Sequence, residues 1–153
     1  MECYARSVQP PSRADEDILK IFRDKLAHRQ ILTNLRPKKI LTSDYEHEFP
    51  LAWKNNIWHV SEALSFDLTT SGNILEKANQ WLGRAHTLAE SQEDFKLYLL
   101  LGKPQQERLR ASFVKAENIL HKMPCPHEFI REDEAAAFAA EVENELKGHG
   151  EGQ

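Results

Sequence analysis

The chain has 153 residues, 41% of them hydrophobic, which fits a single domain with a sizeable core. Its formal charge of −4 and the two cysteines, Cys3 and Cys125, far apart and outside any C-x-x-C pair, exclude three classes. These are a protein drawn to nucleic acid or anionic membrane by global charge, a disulfide framework, and a cysteine zinc knuckle. The N-terminus carries no apolar run of secretory length, and no window approaches the roughly 20 apolar residues of a membrane span, so a bacterial cytoplasmic location is expected.

Residues 1–13 include Gln9-Pro10-Pro11-Ser12 and show no periodicity, which predicts a flexible leader or the stub of a linker. From Ala14 a helix is expected: Ile18, Ile21, Phe22 and Leu26 recur on one face, Asp15, Glu16 and Asp17 suit the positive end of its dipole, and it should end near His28. Lys38 to Thr42, after Pro37, is a candidate first strand.

Glu46–Lys54 and Ile57–Phe66 flank Asn55-Asn56, and asparagine tolerates the positive φ that a two-residue hairpin turn requires. Alternation predicts Phe49, Leu51 and Trp53 on one face, with Trp58, Val60, Glu62, Leu64 and Phe66 on one face of the partner strand. The turn then sets Trp53 opposite Trp58, Leu51 opposite Val60 and Phe49 opposite Glu62. A carboxylate is thereby expected within an apolar row.

Thr70 and Ser71 are candidate caps for a helix with the stripe Ile74, Ala78, Trp81, Leu82, Ala85 and Leu88. Phe95 to Leu101 is an almost unbroken apolar run, as expected of a central strand covered on both faces. A helix with Leu109, Phe113, Ala116, Leu120 and Met123 stops at Pro124 and Pro126; His127 to Arg131 forms a short strand, and Ala135, Phe138, Val142 and Leu146 mark a last helix. The expected fold is α/β (α+β): a mixed sheet of four to five strands with a central hairpin, flanked by about four helices in the order αβββαβαβα. The domain should cover residues 14–147, with 148–153 a disordered tail. The strand–helix–strand segment after the hairpin is long enough for a right-handed crossover to a parallel strand.

The leading site candidate is Glu62 with His47, which share the apolar face in the inferred register and suit acid–base work. The competing reading is that they satisfy loop amides near the end of the sheet. Arg29, Arg36, Lys38 and Lys39, in the basic early third of the chain, are candidates for nucleic-acid binding without cleavage. The seven histidines contain no H-x-x-x-H pair, and His121 and His127 are scattered with the others over different elements, so a dedicated zinc site is not expected. The Leu101-Gly102-Lys103-Pro104 turn lacks the spacing of a phosphate-binding loop, and Ser61 and Ser65 lack a nucleophile elbow.

Two resemblances add expectations. The element order resembles the core of the restriction-endonuclease-like fold, which implies a divalent-cation-dependent nuclease with Glu46 or Glu48 as first acid and Glu62 as second, Glu48 and Glu62 holding Mg²⁺ or Mn²⁺. The lysine normally two residues after the second acid falls on Leu64, so Lys77 on the next helix would have to replace it. Glu46 to Trp53, Glu62 to Leu68, Phe95 to Leu101 and Phe129 to Ala135 together resemble the C-terminal half of uncharacterised bacterial domain-of-unknown-function proteins, some encoded with phage-defence or toxin–antitoxin genes. That resemblance covers residues 14–147 and implies a prokaryotic protein of mobile-element type, without supplying catalytic residues. The missing lysine, the lack of a complete catalytic motif and the contrast between a basic early third and an acidic C-terminal end point instead to an interaction or regulatory module without a cofactor, engaging a protein partner, with nucleic acid or a homodimer as the alternatives and no membrane.

Overall fold

The computed structural model describes residues 11–151. The chain forms α1 (Asp15–His28), β1 (Arg36–Leu41), β2 (Glu46–Asn55), β3 (Ile57–Ser65), α2 (Ser71–Leu88), β4 (Phe95–Gly102), α3 (Arg110–Leu120), β5 (His127–Arg131) and α4 (Ala135–Glu151), with three short 3-10 turns between them. One five-stranded mixed sheet runs β1-β2-β3-β4-β5. Its first three strands are antiparallel neighbours, while β3, β4 and β5 are parallel. The α+β class and the element order are those the periodicities predict.

Two cores flank the sheet. On one face Phe49, Ala52, Val60, Leu64, Leu97, Leu99 and Leu101 pack against the α2 stripe Ile74, Ala78, Trp81, Ala85 and Leu88 and against Phe113, Ala116 and Leu120 of α3. On the other, Leu51, Trp53, Ala63, Tyr98 and Leu100 meet Ile18, Phe22 and Leu26 of α1 and Phe138 and Val142 of α4. β4 is buried along almost its whole length because it contributes alternately to both cores, which is why its sequence reads as a continuous apolar run. Thr70 caps α2 by accepting from the Asn73 N–H at 3.1 Å.

The hairpin departs from its expected register. Trp53 lies opposite His59, Ala52 opposite Val60, Leu51 opposite Ser61 and Lys54 opposite Trp58. The cause is the bend: Asn55 pairs with Ile57, and Asn56 alone takes the left-handed conformation, φ 69°. A second irregularity lies between β1 and β2. Arg36 faces Ala52 and Lys38 faces Phe49, so β2 carries one extra residue opposite Pro37. Pro50 sits in that bulge, where a missing N–H costs no ladder bond. The bulge inverts the alternation, so Phe49 joins the α2–α3 core while Leu51 and Trp53 join the other, contrary to the single row expected.

The ends also differ from expectation. Residues 1–10 of the expected leader and 152–153 of the expected tail lie outside the described residues. Arg13 does not belong to a flexible leader, because its side chain bonds Asp67, Glu132 and the Lys103 carbonyl. α4 continues to Glu151, beyond Gly148, where disorder was expected. The first strand spans Arg36–Leu41, two residues earlier than Lys38. Among the described residues no helix is long and apolar enough to cross a membrane.

Candidate functional site

β2 runs antiparallel to β3, so the start of the one lies beside the end of the other. His47, next but one to Phe49, and Glu62, between Val60 and Leu64, therefore project toward α2 from neighbouring strands. The His47 Nε2 and Glu62 Oε1 atoms are 2.8 Å apart, and the side chains are 21% and 17% exposed. The imidazole packs edge-on against Phe49, at 4.6 Å between centroids, and against Trp81, at 5.2 Å. The Arg84 guanidinium covers Trp81 at 5.0 Å. These contacts hold the imidazole in one orientation, with Nε2 directed at the Glu62 carboxylate.

An imidazole–carboxylate pair of this kind can hold or pass a proton. Hydrolytic chemistry would further require a nucleophile or an activated water on the second imidazole nitrogen. Among the described residues His47 Nδ1 has no hydrogen-bonded side chain, and no group of three or more His, Cys, Asp or Glu residues is arranged to hold a metal ion.

The residues of the nuclease expectation are not brought together. Glu48 is directly across from Lys39 and alternates with His47 and Phe49, which places it on the opposite face of the sheet from Glu62. Glu46 shares that far side and pairs with Lys39 at 3.5 Å. Lys77 Nζ donates to Asp15 Oδ1 and to the Ser65 carbonyl, both at 2.7 Å, and stands 5.7 Å from the Phe66 ring centroid. Its ammonium is committed to fixing the start of α1 against the end of β3.

The basic candidates are spread and mostly neutralised. Arg29 pairs with Glu143 at 2.6 Å, Lys38 with Glu93 at 2.9 Å and Lys39 with Glu46. Lys38 also stands over Trp58 at 4.8 Å. Arg36 is exposed at the bulge. Lys38 and Lys39 point to opposite faces of an edge strand, so the four cations form no continuous track.

The most extensive polar network was not foreseen. Past the C-terminal ends of β3, β4 and β5, where parallel sheets commonly carry ligands, Arg13 bonds Asp67 Oδ2 at 3.0 Å and both carboxylate oxygens of Glu132. Asp67, 4% exposed, also accepts from the Gln105 N–H at 2.9 Å and from the Gln105 amide. Burial pushes the Asp67 carboxyl upward, but the hydrogen bonds from Gln105 and Arg13 outweigh it and hold its pKa below the ordinary carboxylate value. The Glu132 hydrogen bond is the main reason that the Arg13 guanidinium is raised. Ser65 Oγ donates to the Arg13 carbonyl at 2.6 Å, and the Ser65 N–H donates to Asp15 at 2.7 Å. The network spends its polar groups on one another, and no buried side-chain nitrogen or oxygen among the described residues lacks a partner. It ties the entry of α1 to three strand ends. The sequence signal was Asp67 directly after an apolar strand end.

Comparison with family models, with curated proteins and with solved structures gave no match to this chain.

Proposed function

We propose that this chain is a non-catalytic interaction or regulatory domain, an accessory in a bacterial phage-defence or toxin–antitoxin setting. The observation that carries the reading is the separation of the hydrolytic set. Glu62 is bound to His47, Lys77 to Asp15 and the Ser65 carbonyl, and Glu48 lies across the sheet. In the restriction-endonuclease-like reading, metal-assisted phosphodiester hydrolysis uses two carboxylates on one ion and a lysine beside its water. The position two residues beyond Glu62 is Leu64, 1% exposed and part of the core, so no small side-chain rotation supplies the missing amine.

One observation favours a second reading, a divalent-cation-dependent nuclease. The order α1-β1-β2-β3-α2-β4, with β4 parallel to β3, resembles that of the restriction-endonuclease-like core, and under this resemblance Glu62 would be its second acid. In that reading the first acid is Glu46 or Glu48, both on the far face of the sheet, and the group beside Glu62 is His47, whose neutral imidazole is a poor ligand for Mg²⁺, which prefers oxygen donors.

The two readings separate on incubation with labelled DNA and RNA in Mg²⁺ or Mn²⁺. An interaction domain leaves both polymers intact, whereas cleavage by wild type that is lost in Glu62→Gln overturns it.

A further inference from the structure

His121 and His127 come from different elements yet meet at the surface. His121 caps the C-terminus of α3, its N–H bonded to the Glu117 carbonyl, and His127 opens β5 after the Pro124-Cys125-Pro126 turn. Their facing nitrogens, His121 Nδ1 and His127 Nε2, share a hydrogen bond at 3.3 Å. The other nitrogen of His127, Nδ1, lies 2.8 Å from the Cys125 carbonyl oxygen. A carbonyl only accepts, so His127 Nδ1 carries a proton and its Nε2 accepts from His121 Nδ1–H; a metal ion between them would displace that one proton, which His121 can carry on Nε2 instead. A ligating histidine in a protein is usually oriented in this way, its second nitrogen donating to a carbonyl or carboxylate.

Phe129 fixes the two rings further. It stacks on His121 at 4.1 Å and 24° and on His127 at 5.4 Å and 26°. The spacing of the nitrogens is itself informative. An ion about 2.05 Å from each would see them separated by about 107°, close to the tetrahedral value of about 109° that zinc adopts. A square-planar ion would require them closer. The position past the last turn of α3 adds the negative end of the helix dipole, which favours a cation.

We propose that His121 and His127 form a two-histidine site for a tetrahedral divalent transition-metal ion, with Zn²⁺ the best fit and water completing the coordination. Imidazole ligands select such ions over Mg²⁺ and Mn²⁺. The site lies apart from the His47–Glu62 pair and is independent of the function proposed above. It was hidden in the sequence because five residues with two prolines separate the histidines, and only the turn brings them together.

The test is a Zn²⁺ titration of the full chain labelled with ¹⁵N, followed by long-range ¹H–¹⁵N spectra of the histidine rings. Calorimetry runs in parallel on wild type, His121→Ala, His127→Ala, the double variant and His86→Ala, an exposed control on α2. The expected result is saturable binding of one equivalent, with the largest shifts at His127 Nε2 and His121 Nδ1. Each single variant should weaken binding about tenfold or more while His86→Ala leaves it unchanged. Absence of shifts at these two nitrogens at millimolar Zn²⁺, or binding that persists in the double variant, overturns the proposal.

Discussion

The Nε2 atom of His47 lies 2.8 Å from Oε1 of Glu62, and the pair is enclosed by Phe49, Trp81 and the sheet on the face away from Glu48. His47→Ala removes the partner of a carboxylate that is mostly out of water. Discounted for its residual exposure, the expected loss is about 1 kcal/mol, with Glu62→Gln costing less because an amide can still bond the imidazole. Urea unfolding of His47→Ala, Glu62→Ala and the double variant measures the coupling. Additive losses would show that the two side chains do not interact in solution.

Asp67 is the most heavily bonded carboxylate of the network beyond the strand ends. Asp67→Asn should cost about 2 kcal/mol near neutral pH, since Arg13 loses a counter-charge and the Gln105 contacts must be remade. The native pKa is lowered, so the carboxylate's contribution is full above the unfolded value of about 3.9 and is lost as pH falls through the native one. Urea midpoints of wild type and variant should therefore converge in acid below about pH 4. A gap that stays constant down to the acid limit would refute the role of the ionised group.

Gly102 ends β4 where α1 crosses the sheet. A Cβ placed there falls 2.6 Å from Ile18 Cγ1, and Ile18 is completely buried. Gly102→Ala is expected to destabilise the fold by about 1–3 kcal/mol through overpacking. Adding Ile18→Val should recover part of that loss, and thermal unfolding of the single and double variants checks it.

Tyr98 packs with the Trp53 and Phe138 rings in a three-ring cluster, and its hydroxyl is 3.0 Å from His59 Nδ1. Burial pushes the phenol up to about 12, against a partial opposing pull from Lys96. Of the three tyrosines, one should resist ionisation in an ultraviolet titration until about pH 12, and Tyr98→Phe should remove that late step. Complete ionisation near pH 10 in the folded protein would contradict the burial.

The helices and β4 were legible because their side chains repeat at the periods of the structures they form, as in the α2 stripe from Ile74 to Leu88. The hairpin register was not, because Asn56 alone, rather than the Asn55-Asn56 pair, makes the bend. The bulge at Pro50 was not legible either, since a proline in a strand marks an irregularity without giving its sense. The two departures compensate. A one-residue slip moves His47 and Glu62 to opposite faces, and the one-residue bulge restores them to the same face, so the expected pair survived an incorrect register. The Arg13 network leaves no local pattern in the sequence, because its members are 54 and 119 residues apart.

The proposed interaction role needs no hydrolytic centre. Its most direct test is incubation of the purified chain with labelled DNA and RNA across a titration of Mg²⁺ and Mn²⁺, comparing wild type with Glu62→Gln. The separation of Glu48, Glu62 and Lys77 predicts that both proteins leave both polymers uncut at every metal concentration. Metal-dependent cleavage by wild type that disappears in Glu62→Gln would contradict it and make Glu62 a metal ligand.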